Sequence, residues 1–418
     1  MNKGDTQILS ASMIGTILEW YGVFLFSSGA IYIGRNFLPK TSPYYAIAET
    51  LLIFAIGFLF RPVGAVVFGH YGDRIGRKNM LIISLVLSGL STGLVGVLPT
   101  YAQIGAAALI LLVVLRLILG FALGGEWGGA MLLTLENFQS RRGFWSAFIQ
   151  STVGIGLILG AAAFYVLDAV LPQSQMFAYG WRIPYLLAFI ILAIGIYIRE
   201  RIPETPLFEA AQRERKIVRV PAKELFSKHW LPLLLGTLIT GSSGTFFYVG
   251  AALIPSLFEL LKVVTPSFAQ IGVILFAVAD IIFVFIGGMA SERYGRRAMV
   301  IVANLIFLVI VYPSFYVKTA AAFLAFMFLY GVAHGTGYAP LGSMISEIFP
   351  TNVRYSGNSM AYQFGNAFVA GPASFVSLYL GAIAYPLYPV YAVVFSLIAI
   401  ASAVKFRETK DISLMESS

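Results

Sequence analysis

Apolar residues in this chain gather into runs far longer than a strand or an ordinary surface helix, separated by short polar breaks. The runs fall at about residues 8–35, 46–70, 79–99, 104–135, 144–171 and 182–200. Six more follow at about 229–262, 267–290, 297–317, 320–349, 357–383 and 387–406. A helix needs roughly 20 apolar residues to cross a hydrocarbon core of about 30 Å. The pattern therefore predicts an all-α integral membrane protein of twelve transmembrane helices, with both termini on one side. The longest polar stretch, "RERIPETPLFEAAQRERKIVRVPAKELFSKH", splits the runs into two sets of six. The expected organisation is a first half over 1–200, a linker over 201–228 and a second half over 229–418. The first run, followed by many others, is expected to stay as a helix rather than act as a cleaved signal.

Composition agrees with a bilayer. Of the residues, 59% are hydrophobic and 11% charged, and the mean hydropathy is +0.84; a soluble domain carries about a quarter charged residues. The net charge of +9 does not point to nucleic acid, because the basic residues sit in the short breaks between apolar runs. If the breaks alternate sides, the side of the termini collects 21 Lys and Arg and the other side 5, with Arg61 and Arg116 inside helices. Positive-inside topology then predicts a multi-pass protein of the cell membrane with both termini cytoplasmic. Cysteine is absent and the three histidines are scattered, so no metal centre or other cofactor is expected. No phosphate-binding P-loop and no catalytic constellation occur, which argues against an ATP-driven pump and against an enzyme.

One dense charged clasp interrupts the apolar pattern twice. "GHYGDRIGRK" (Gly69 to Lys78) follows the second run, and "GGMASERYGRR" (Gly287 to Arg297) follows the eighth, 219 positions on with Gly69 against Gly288. The clasp is expected to be a loop used once per half, where an acid accepts bonds in one conformation and loses them when the halves rock apart. Its residues are Gly69, Asp73, Arg74, Gly76 and Arg77, and in the copy Glu292, Arg293 and Arg296.

These stretches resemble the loop signature of the major facilitator superfamily, G-x-x-x-D-R-x-G-R-[RK], with Glu292 in place of the second aspartate. "GTILEWYGVF", "RLILGFALGGEWGGA" and "RIPETPLF" are similar to segments of its metabolite:proton symporter branch. The resemblance implies a two-half, twelve-helix secondary transporter that moves a small organic acid or related metabolite together with protons. The branch usually carries an aspartate in helix 1 where Gly22 stands, and a glutamine where Leu119 stands. A sugar or drug transporter on the same fold, working as uniporter or exporter, is the alternative; a passive channel is a further one.

Ionisable residues at membrane depth are costly without a partner or water, so they point to function. Glu19, Arg61, Arg116, Glu126 and Asp280 lie deep, whereas Asp168 and Glu347 are nearer helix ends. With Gly22 unable to titrate, Glu19 is expected to carry the coupling proton, with Asp280 second and His334 as a further carrier. Arg116 either binds a substrate carboxylate through its planar fork or forms an ion pair with Glu19 or Glu126. The expected substrate contacts are Tyr21, Arg116, Gln150, Tyr248, Tyr338, Tyr362, Gln363 and Asn366, polar groups placed to face a midplane cavity. Gly120, Gly124 and Gly128 recur every fourth residue, a face for close helix approach. The expected partners are the bilayer, a small-molecule substrate and protons, with no nucleic acid, and the chain is expected to work as a monomer.

Overall fold

The computed structural model describes residues 3–38, 53, 56–201, 204, 221–412 and 414, which form helices and turns with no strand among them. Six principal helices make the first half: α1 (Lys3–Ser28), α2 (Arg61–Ile75), α3 (Arg77–Val95), α4 (Ala106–Asn137), α5 (Arg142–Val170) and α6 (Arg182–Arg199). The second half begins with α7, which runs over Trp230–Tyr248, passes through a π-helical turn (Val249–Leu253) and continues over Ile254–Leu260. Then come α8 (Pro266–Tyr294), α9 (Arg296–Ser314) and α10 (Ala320–Ile348). Helix α11 (Arg354–Gly365) likewise passes through a π turn (Asn366–Ala370) into Ala373–Ile383, and α12 (Val390–Lys405) ends the bundle. Among the described residues, eleven helices are long and apolar enough to cross a membrane. The remaining one, α2, is preceded by further helical residues at 56–59. The start of the second apolar run and most of the 201–228 linker lie outside the described residues.

The charged clasps, expected as loops, are almost wholly helical. Gly69 to Ile75 complete α2, and Gly76 alone, at φ +114°, separates it from α3. Gly295, at φ +99°, divides α8 from α9 in the same way. Turning one helix into the next within a single residue requires backbone angles that only glycine adopts without strain. The clasp is a hinge point with helices on both sides.

Packing follows the repeat. In the first half α1 lies against α5, α6 and α4, and α4 against α2 and α3; in the second α10 lies against α8 and α9, and α7 against α11 and α12. The halves meet where α2 packs on α11 and α5 packs on α8 and α10. The internal repeat relates α2 to α8 and α5 to α11, so the two seams exchange under it. The glycine face of α4 makes the close approaches its spacing predicts. A Cβ at Gly120 would strike the carbonyl of Gly57, one at Gly124 the backbone of α2, and one at Gly128 the hydroxyl of Ser359 on α11.

Candidate functional site

A small central cavity lies where the halves meet at mid-bundle. Trp20 of α1, Phe247 and Tyr248 of α7, His334 and Tyr338 of α10 and Tyr362 of α11 supply most of its wall, with Asn366 at the π turn of α11. Several residues singled out in the sequence converge here. The hydroxyls of Tyr338 and Tyr362 are 2.5 Å apart. The Tyr362 ring stacks on Trp127 with centroids 3.7 Å apart, and Trp127 Nε1 donates to Gln150 Oε1 at 2.8 Å. Gln150 Nε2 donates in turn to the Tyr338 carbonyl at 2.7 Å. Gln150 thus holds the aromatic wall from behind. Asn366 Nδ2 donates to the Tyr362 carbonyl, and the buried Tyr248 hydroxyl has no hydrogen-bond partner.

Other expected contacts lie elsewhere. Tyr21 donates its hydroxyl to the Pro184 carbonyl at 2.6 Å, tying α1 to α6 inside the first half. Gln363 Nε2 donates to the Leu123 carbonyl at 2.6 Å, a bond across the seam rather than into the cavity. Arg116 pairs with neither Glu19 nor Glu126. Its guanidinium sits 3.9 Å over the Phe26 ring and reaches the Gly22 carbonyl at 3.4 Å, away from the cavity wall.

The deep ionisable groups form three sets. Asp280 Oδ1 and His334 Nδ1 are 2.7 Å apart, both side chains buried, and the His334 ring faces Tyr338 and Phe247 on the cavity wall. Glu19 is fully buried with neither carboxylate oxygen hydrogen-bonded. Arg61 lies 4.3 Å over Phe58 and 5.5 Å from Trp20, and its Nε and Nη1 have no hydrogen-bond partner. Glu126, by contrast, is spent on structure. Its carboxylate takes both terminal nitrogens of Arg199, Oε2 from Nη1 at 3.0 Å, and accepts from Ser84 at 2.5 Å. Arg199, counted in the sequence among the cations of the polar linker, is completely buried at the end of α6.

At the end of the bundle that carries the clasps, the halves are locked together. Asp73 accepts from the backbone N–H groups of Tyr355 (3.1 Å) and Ser356 (2.9 Å), in the first turn of α11. Glu292 accepts from the N–H of Gly143, in the first turn of α5, at 2.5 Å. Each half therefore caps a helix N-terminus of the other, where the helix dipole favours an anion. Gly69 leaves no room for a side chain against the backbone of Ser356. Beneath lie two buried triads related by the repeat. Glu136 binds Arg77 and, at 3.3 Å, Arg354; Glu347 binds Arg296 at 3.3 Å and Arg142 at 2.9 Å. Arg296 also reaches Glu292 at 2.9 Å. Arg74 and Arg293 stay at the surface, Arg74 beside His70 and Arg293 against Tyr294. Glu347, placed by the sequence near an interface, is fully buried because two arginines from opposite halves converge on it. Sequence reasoning did not place Glu136, Arg142, Glu347 and Arg354 with the clasps, where the ion pairs bring them. The signal was present in the repeat, since each occupies the same place in the opposite half.

Comparison with known proteins shows the family and the fold. A family model described as Major Facilitator Superfamily matches residues 12–263, and one described as Sugar (and other) transporter matches 209–418. The inner membrane metabolite transport protein YhjE of Escherichia coli (strain K12) is 34% identical over 384 residues, covering 90% of this chain and 87% of that protein. The citrate-proton symporter of Klebsiella pneumoniae is 30% identical, covering 85% of this chain and 81% of its own. Among solved structures, the proton:xylose symporter XylE bound to 6-bromo-6-deoxy-D-glucose superposes with a TM-score of 0.82 at 18% identity, covering 99% of this chain and 98% of that one.

Proposed function

This chain belongs to the major facilitator superfamily, and from that premise we propose that it is a proton-coupled symporter that takes up a small organic acid or a related polar metabolite by alternating access. That it is a membrane transporter and not an enzyme follows from the family; substrate and coupling are the proposal. The observation that carries it is the Asp280–His334 pair, buried at membrane depth with His334 on the wall of the central cavity. A buried carboxylate and imidazole in hydrogen-bond contact are a pair between which a proton can be exchanged. Because His334 faces the cavity, that exchange is open to whichever side the cavity faces. Glu19, expected to be the carrier, is the second group: its carboxylate is fully buried with no hydrogen-bond partner, a costly place for a fixed charge.

For an anionic substrate the receptor is Arg61 in place of Arg116. Arg61 stands beside Trp20 of the cavity wall with Nε and Nη1 unbonded, so its guanidinium has donors left to offer a carboxylate. The clasp end, shut in this structure, is assigned to the cytoplasm on the Lys and Arg asymmetry. Relatives whose names pair a small substrate with a proton support the reading.

The test begins with a thermal-shift screen of purified protein against organic acids, zwitterions and sugars, then measures uptake into proteoliposomes with and without an imposed pH gradient. Asp280→Asn and His334→Gln are expected to abolish gradient-driven accumulation while preserving substrate exchange. Accumulation that survives in both but fails in Glu19→Gln returns the proton to Glu19. A wild type indifferent to the gradient is a uniporter, and the coupling proposal falls.

A further inference from the structure

Beyond α12 the described residues, 406–412 and 414, stay against the protein. The chain turns beneath the clasp end and is held there by both halves. Glu408 accepts the N–H groups of Arg296 (2.9 Å) and Arg297 (3.2 Å), capping α9 just after Gly295. Glu204, after α6, accepts the N–H of Lys78 at 3.1 Å and caps α3 in the same way. Each half thus ends in a Glu-Thr pair, Glu204-Thr205 and Glu408-Thr409, whose acid grips the hinge of its own clasp.

The second of these segments does more. Thr409 Oγ1 donates to Glu347 at 2.5 Å, and Arg142 donates to the carbonyls of Ile412 (2.6 Å) and Lys410 (3.3 Å). Arg354 donates to the Leu414 carbonyl at 2.9 Å. Thr409 and Leu414 are buried, as in a fitted groove. Arg142 belongs to the first half, so its bonds to the tail cross the seam that must part when this end opens.

We propose that the tail, Glu408 to Ile412 with Leu414, is a strap that holds the clasp end shut, anchored to its own half by Arg354, and that its release from Arg142 is a required step of opening there. Hydrogen bonds to charged groups are the stronger kind, and main-chain carbonyls offer them without any charge of their own to neutralise. The strap therefore adds closing force without tightening the ion pairs beneath it.

The chain has no cysteine, so a single introduced one reports alone. Ser356→Cys places it on a fully buried residue at the clasp, and Ser88→Cys places a control inside the first half. In the Ser356→Cys background, truncation after Lys410 removes the Ile412 and Leu414 carbonyls but keeps Glu408 and Thr409. Maleimide labelling of Cys at 356 is expected to speed up by about tenfold, the shift that losing charge-assisted bonds of this kind produces. Labelling at 88 should not change. A synthetic peptide of residues 411–418 at millimolar concentration should restore slow labelling at 356. If the truncated chain does not fold, a protease site inserted between Lys410 and Asp411 allows the same cut after purification. Unchanged labelling at 356 after the cut, acceleration at both positions, or acceleration that the peptide does not reverse would overturn the strap.

Discussion

Two arginines at membrane depth show what single residues disclose. Both Arg61 and Arg116 stand out in the sequence as cations inside apolar runs, yet the pattern does not say which of them meets the cavity. That depends on side-chain direction. Arg116 points to Phe26 and Gly22 within its own half, while Arg61 points to the rings of Phe58 and Trp20 beside the cavity. Arg61→Lys is therefore expected to weaken binding of an anionic substrate by more than about 1.4 kcal/mol, a tenfold loss, because a point charge cannot replace the fork. Arg116→Lys should leave affinity unchanged. Binding isotherms of the two variants decide this, and the reverse ranking would restore Arg116 as receptor. Gly15 was read only as part of a motif; its role appears in three dimensions, where a Cβ would land on the Glu126–Arg199 pair. That partner lies on α6, far along the chain, and no local signal marks it.

Helices were the most legible level. Run length fixed the number and order of the elements, because a bilayer leaves few alternatives to a helix. What the runs concealed was how helices end. The clasps read as loops because their glycines and charges are loop-like in composition, yet one glycine per clasp suffices for the break. Asp73 meets its partner 282 residues away, a distance no motif spans. Since each clasp acid caps a helix of the other half, Asp73→Asn should fold normally but slow transport strongly. The neutral amide loses a charge-assisted pair of bonds worth about 1.5–3 kcal/mol to the closed end. Glu292→Gln is expected to show the same defect, somewhat milder because it caps through one N–H. Initial uptake rates test both, and wild-type rates in Asp73→Asn would remove the acid from the gate.

At the scale of the whole molecule the repeat organises charge as well as helices. Arg77, Glu136 and Arg354 on one side mirror Arg296, Glu347 and Arg142 on the other, and each triad joins the halves. Counting cations by side treats them all as loop charges, and Arg77, Arg199, Arg296 and Arg354 are instead fully buried. Topology sets the side; only the partner's position sets burial. Glu136→Gln leaves two buried guanidinium groups without their carboxylate and should lower the thermal midpoint, with a loss of about 3–5 kcal/mol. An unchanged melting curve would mean the triad contributes nothing to stability. The symmetry stops at the π turns. Val249–Leu253 in α7 and Asn366–Ala370 in α11 sit at cavity level, and α1 and α5, their counterparts, carry none. A wide turn holds one residue more than the α pitch needs, so its amides are the weakest links in the helical ladder. Deuterium should therefore enter those two stretches before the matching turns of α1 and α5. On the proposed mechanism the transporter would be a mirrored frame with one supple side, the end away from the clasps closing on two spokes of the second half and the clasp end on its latch.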